Sequence, residues 1–163
     1  MAVDMFLKLG DLKGESGDKT NKEWFDILAW SWGLSQSGTA HMGGGAGAGK
    51  VSVQDISVTK WVDAGSNELI KACCSGAHFP EGKLICRKAG GDDKVNYITI
   101  TFKKMFITSV STGGSGGEDR LTENVTLNFE AFKLEYQPQD EKGAKQGGAK
   151  EATWNMLTNE AKF

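Results

Sequence analysis

Apolar residues along this chain alternate more often than they recur at helical spacing. Val3, Met5, Leu7 and Leu9 occupy every second position of a first stretch, the period of a strand with one buried face. Trp24 to Trp32 reads as a second strand, with Trp24, Leu28, Trp30 and Trp32 at even positions and Phe25, Ile27, Ala29 and Ser31 at odd ones. Large groups on both sides predict a strand covered, at least in part, on both faces. Three later stretches alternate and then slip by one residue. Val51 and Val53 give way to Ile56 and Val58, then Ile98, Ile100 and Phe102 to Met105 and Ile107, and finally Val125, Leu127 and Phe129 to Phe132, Leu134 and Tyr136. A one-residue slip exchanges the faces of a strand unless a bulge or bend absorbs it. Three such slips predict a strongly coiled sheet or a barrel that turns corners.

Shorter elements complete the pattern. Leu84 to Arg87 is a strand, and Gly90-Gly91-Asp92-Asp93 a hairpin turn into the strand that starts near Val95. One helix interrupts the alternation at about residues 66–76. Ser66 can cap it, Glu68 suits its positive end and Gly76 can end it. Leu69, Ile70, Cys73 and Cys74 share one face, so the cysteines are expected as small buried apolar groups. Residues 15–22 are a polar loop. Residues 137–150 are polar and glycine-rich and are expected to be mobile, with a last strand returning around Trp154.

A length of 163 residues sets one domain, 1–163, with enough chain for a core of its own. The net charge of −2 argues against a nucleic-acid partner, which needs a basic stripe. No apolar run approaches 18 residues, so no membrane insertion is expected. The start, Met1 to Phe6, has neither a basic region nor a long apolar stretch and is not read as a secretion signal. Three cysteines, two of them adjacent, are no disulfide framework and fit folding in a reducing cytoplasm. His78 stands four residues after Cys74, but Gly76 interrupts and no second pair is present, so no metal or other cofactor is expected.

Candidate chemistry is confined to two glycine tracts, His41 to Lys50 and Ser111 to Arg120, which hold nine of the 22 glycines. Gly44 to Lys50 satisfies most of the phosphate-loop pattern GxxxxGK. Val51 stands where Ser or Thr should reach magnesium, and the segment Val51 to Ile56 is β-branched and alternating rather than helical. Gly113-Gly114-Ser115-Gly116-Gly117 fits GxSxG in form, yet no helix succeeds the serine as a nucleophile elbow requires. The candidate bases, His41 and His78, lie in the other tract and past the helix end. Glu118, Asp119 and Glu123 are carboxylates at a loop end, where charges are usually solvated. Both tracts therefore read as adaptable contact loops and the chain as a non-enzyme. A carbohydrate-binding β-sandwich that stacks sugars on Trp24, Trp30 and Trp32 is the alternative, and a serine hydrolase through Ser115 a weaker one.

Several segments resemble one known family. They are Leu28-Ala29-Trp30-Ser31-Trp32-Gly33 with Ser35-Gln36-Ser37-Gly38, His41 to Gly45 ending in Gly49-Lys50-Val51, Arg87 to Gly91, and the long run from Ser109 to Phe129 with Tyr136-Gln137-Pro138-Gln139 after it. In this order they are similar to the haemolysin co-regulated protein (Hcp) family.

The resemblance implies a mainly β fold, a single-domain β-barrel of two antiparallel-rich sheets with one flanking α-helix, similar to phage tail-tube proteins. It implies a tube subunit of the bacterial type VI secretion system. Hexameric rings would stack into a hollow tube inside contractile sheath proteins, capped by a valine-glycine repeat spike protein and carrying small effector proteins in the lumen. The chain would start in the bacterial cytoplasm and leave through that machine. On this expectation His41, Met42, Gly43, Gly44, Gly45, Ala46, Gly47, Ala48, Gly49 and Lys50 reach an adjacent subunit. Thr112, Gly113, Gly114, Ser115, Gly116, Gly117, Glu118, Asp119 and Arg120 are the second candidate for a ring face, and Ser31 is a candidate either to face the lumen or to contact a neighbouring subunit.

Overall fold

In the computed structural model, residues 3–38, 40–41, 49–88 and 94–163 are described. The hairpin turn expected at Gly90–Asp93 lies outside them. Ten strands and one helix follow in order: β1 (Val3–Leu9), β2 (Phe25–Ser31), β3 (Leu34–Ser35), β4 (Ser52–Val53), β5 (Ile56–Trp61), α1 (Ser66–Ser75), β6 (His78–Lys88), β7 (Asn96–Thr112), β8 (Thr122–Asn128), β9 (Ala131–Tyr136) and β10 (Lys150–Asn155). All pair antiparallel. Eight strands form one sheet in the order β10-β9-β7-β6-β1-β2-β5-β8, and a further β7–β8 pairing closes six of them into a barrel. β3 and β4 form a separate two-stranded sheet. The expected mainly β barrel with a flanking helix is the fold observed.

Two of the three slips fall on one corner of the barrel. β7 runs unbroken for 17 residues and turns at Lys104, whose φ of 52° lies in the left-handed region. On one edge Phe102 stands opposite Gly82, on the other opposite Phe132. Neither register shifts across the turn, because β6 exchanges faces at Pro80 and the β8–β9 strand at Glu130, level with Lys104. A face exchange shared by three neighbouring strands leaves every inward residue inward. The outside of the corner is held by a Lys104–Glu130 ion pair of 2.7 Å and by a 2.9 Å bond from the Glu130 amide to the Lys103 carbonyl. Its inside holds aromatic rings. Phe102 and Phe129 have centroids 4.5 Å apart, and Trp32 meets Phe132 edge-on at 4.8 Å. A Cβ on Gly82 would collide with the Met105 sulfur, so glycine there makes room for the methionine.

The remaining slip is different. The stretch Val51–Val58 is not one strand; it breaks at Gln54 and Asp55, with Val53 in the small sheet and Ile56 in the barrel. The Gln54 amide donates to the Gly33 carbonyl at 2.9 Å, and its own carbonyl accepts the Trp32 Nε1–H at 2.9 Å. β2 carries a slip that alternation disguises. Its register against β5 shifts between Ile27 and Ala29. Phe25 and Ile27 are buried before the shift; Trp30 and Trp32 pack on the core after it. The two apolar faces read from the sequence are one face that changes parity.

The helix docks through charge. Ile56, Val58 and Lys60 are successive inward positions of β5, and Glu123, Val125 and Leu127 of β8. Lys60 and Glu123 are register partners, each 1% exposed, with Nζ and Oε1 2.5 Å apart. Lys60 also reaches Asp63 at 3.2 Å and the Trp61 carbonyl at 2.7 Å. Ser66 donates to Glu123 at 2.7 Å and accepts the Asp63 amide at 2.9 Å, so it anchors the first turn from inside while Gly65 occupies the cap position. Leu69 and Ala72 face the core, whereas Ile70 and Cys74 of the expected buried face are exposed. Gly76 ends the helix at φ 66°, as expected.

Removing one member of a buried pair strands the other charge without solvent. Lys60→Met leaves Glu123 and Asp63 without their cation and is expected to cost about 3–5 kcal/mol in urea unfolding. A loss below about 1 kcal/mol would show that water reaches the pair.

Candidate functional site

The outward residues of β2, β5, β8 and the later half of β7 are fixed by the register. Ser31 stands beside Ser57, Ser57 beside Thr126, and Thr126 beside Ser109. The next row is Ala29, Thr59, Asn124 and Ser111. These eight positions carry no charge and no large apolar group. Four of them bond in pairs: Thr59 donates to Asn124 Oδ1 at 2.6 Å, and the Ser109 hydroxyl lies 2.6 Å from that of Thr126, which the neighbouring Thr108 hydroxyl also meets at 2.7 Å. Asp55 borders the patch, accepting from Thr108 at 2.7 Å and Asn128 at 2.8 Å. Such cross-strand pairs satisfy polar groups while leaving the sheet face flat and wet.

The first glycine tract is described only at its ends. His41 and Lys50 are exposed, and the Gly49 amide points at the Ser37 carbonyl at 3.5 Å. Met42 to Ala48 lie outside the described residues. The second tract, Thr112 to Arg120, is exposed throughout. A turn closes it through the Glu118 amide and the Ser115 carbonyl at 3.2 Å, and Arg120 lies over the Trp61 ring at 4.9 Å. No described histidine hydrogen-bonds Ser115, and His78 stacks on Phe106 with centroids 5.1 Å apart. Glu118 and Asp119 are in solvent, while Glu123 is the buried partner of Lys60, so the three carboxylates do not converge.

One cluster escaped the sequence reading. Arg87, 4% exposed, lies on the outward side of β6 beneath the loop of residues 15–22. Its Nη2 meets Asp18 Oδ2 at 2.5 Å and Asp4 Oδ2 at 3.3 Å, and its guanidinium covers the Phe6 ring at 5.0 Å. Asp18 Oδ1 meanwhile accepts the Thr20 and Asn21 amides at 3.1 and 3.0 Å. The Arg87 guanidinium holds the Asp18 carboxyl well below the usual carboxylate range. Burial pushes the Cys86 thiol up, the opposite of what a nucleophile needs. Residues 137–150 bond to the fold through Gln137 N–H to Tyr97 O at 2.8 Å and a turn around Asp140, and the last strand is present as β10.

Comparison with known proteins decides what these surfaces belong to. The family described as "Type VI secretion system effector, Hcp" matches residues 6–136. The chain belongs to the Hcp family. It is 61% identical over 159 residues to "Protein hcp1" of Pseudomonas aeruginosa, covering 98% of both. A solved type six secretion system protein superposes with a TM-score of 0.92 at 32% identity, over 99% of this chain and 100% of that one. The crystal structure of Hcp1 from Salmonella typhimurium gives 0.81 at 35% identity, over 98% and 99%. Hcp proteins are structural, secreted tube proteins of type VI secretion, so this chain is a tube subunit and not an enzyme. The sugar-platform alternative loses its platform, since Trp30 and Trp32 pack on the core. Among the described residues no helix is long and apolar enough to cross a membrane.

The Asp18–Arg87 contact carries a pH dependence. A carboxyl whose folded pKa is depressed stabilises fully above its unfolded pKa, near 3.8. That contribution is lost as pH falls through and below this value. Asp18→Asn is therefore expected to flatten the acid limb of stability against pH below about 4, measured by thermal unfolding. An unchanged acid limb would remove Asp18 from the acid response.

Proposed function

We propose that six copies close into a ring and that rings stack into a hollow tube. Contractile sheath proteins expel the tube from the bacterial cytoplasm with a valine-glycine repeat spike at its tip, and small effector proteins travel in the lumen. The observation that carries the reading is the outward sheet face at Ser31, Ser57, Thr126 and Ser109 with Ala29, Thr59, Asn124 and Ser111. An exposed sheet of this width normally carries long charged side chains, and this one carries none. As a lumen wall it neither grips apolar cargo nor repels either sign of charge. Ser31 lies in that wall and is where cargo would touch it.

A ring joined head to tail needs two different surfaces on each chain. β10 leaves one edge of the large sheet unpaired by the described residues from Lys150 to Trp154, with Asn155 bridged to Glu160 at its end, the kind of edge a neighbour covers. The tract His41–Lys50 reaches an adjacent subunit, and the loop Thr112–Arg120 lies on a ring face.

Electron microscopy of the purified protein is expected to show six-fold rings; a strictly monomeric species at high concentration would sink the reading. Deleting Gly43–Gly49 is expected to leave a folded chain that stacks poorly, and normal tubes from that deletion would remove the tract from assembly. Ser31→Trp is expected to cut effector retention about tenfold or more with rings intact, a crowding effect of the size one misplaced interface side chain produces. Unchanged retention would take Ser31 off the cargo path.

A further inference from the structure

Beneath the loop of residues 15–22 opens a hollow of about 910 Å³, lined by Lys19, Lys83, Lys94 and Lys145 around Arg87. Among its described lining residues the sole carboxylate is Asp18, already held on Arg87 and on two backbone amides. None of the four lysines is in an ion pair among the described residues; Asp92 and Asp93 lie outside these. The Arg87 Nε, buried, has no hydrogen-bond partner. Four like charges around one concavity repel one another, and an anionic group inside relieves that cost.

This chain carries such a group. Glu118 and Asp119 stand side by side on an exposed loop, and neither is in an ion pair among the described residues. Gly113, Gly114, Gly116 and Gly117 precede them and let the backbone reach outward. The loop leaves the C-terminal end of β7 at Thr112, whereas Lys94 and the hollow lie at the N-terminal end, 17 strand residues away. A stack of identical rings is heterologous, so each chain must present one patch on one ring face and its complement on the other. An acidic loop and a basic hollow on separate parts of the surface supply such a complementary pair.

We propose that Glu118 and Asp119 of one copy dock into the hollow of Lys19, Lys83, Lys94 and Lys145 on a second copy, and that this contact joins stacked rings. The proposal rests on the ring reading above. The test reverses charge on each side of the full-length protein: Glu118→Lys with Asp119→Lys, Lys83→Glu with Lys145→Glu, and all four together. Ring–ring association is followed by sedimentation velocity and electron microscopy at ionic strengths of about 0.02 and about 0.5 M. Each pair alone is expected to weaken stacking about tenfold or more while rings persist, the four together to restore most of it, and salt to weaken the unaltered protein. Stacking indifferent to either reversal or to salt overturns the docking, as do a fourfold swap without rescue and unaltered rings that stay single at low salt. Absence of rings from the unaltered protein overturns the ring reading beneath it instead. If a variant fails to fold, carbodiimide coupling of mixed light and heavy unaltered chains decides. Glu118 or Asp119 joined to one of the four lysines between chains supports the docking, and coupling only elsewhere overturns it.

Discussion

The barrel depends on a corner that three strands turn together. If β7 kept its faces through Lys104, Met105 and Ile107 would point outward, and if it exchanged them alone the register with both neighbours would break. Neither happens, because β6 and the β8–β9 strand exchange at the same level. The sheet can then bend sharply, bring β8 round to β5 and close. The bend opens a wedge of space on its inner side, which Trp32 fills edge-on against Phe102, Phe129 and Phe132, with Phe102 tilted on Phe129. A left-handed lysine has a backbone cost of about 1–2 kcal/mol, which the aromatic packing of the corner offsets.

Closing the sheet commits its inner face to packing, and two buried cations then place what surrounds it. Lys60 takes a position that alternation reserves for an aliphatic residue. It ties β5, β8 and the first turn of α1 to one point. Arg87 does the same on the opposite side of the wall, fixing the loop of residues 15–22 on β1 and β6. The Lys60–Glu123 pair adds little net stability, since desolvation consumes most of its attraction, whereas at Asp18 the Arg87 contact outweighs desolvation. Their value is placement: each makes one docking geometry of a peripheral segment far better than a shifted one.

These properties set what the sequence could show. Alternation is local, so the strands, the helix and the slips at Phe102/Met105 and Phe129/Phe132 were legible. The bulge in β2 was not, because apolar residues on both sides of a parity change look like a strand buried twice. The break at Gln54–Asp55 has the same slip signature as a corner, and only pairing partners separate them. Lys60 and Glu123 are 63 residues apart and Arg87 and Asp18 69. Each reads alone as an ordinary surface charge. Their signal was positional: a lysine third in the series Ile56, Val58, Lys60, and a glutamate first in Glu123, Val125, Leu127. The family came from motif resemblance, which periodicity could not supply.

The same division of faces explains how a tube subunit can have a function without catalysis. Once the inner face, the corner and the two cations have fixed the barrel, the outer sheet face contributes little to its stability and is free to vary. On β2, β5, β8 and β7 that freedom is used for restraint. Hydroxyls and amides bond to one another along the rows instead of reaching outward. Glycine has the matching role at the loops. In the tract Thr112–Arg120 most glycines have open space where a side chain would stand, with Gly114 held close against Leu121. Their use is therefore backbone reach rather than close packing, and reach toward something beyond the chain is what a subunit requires and a self-sufficient barrel does not.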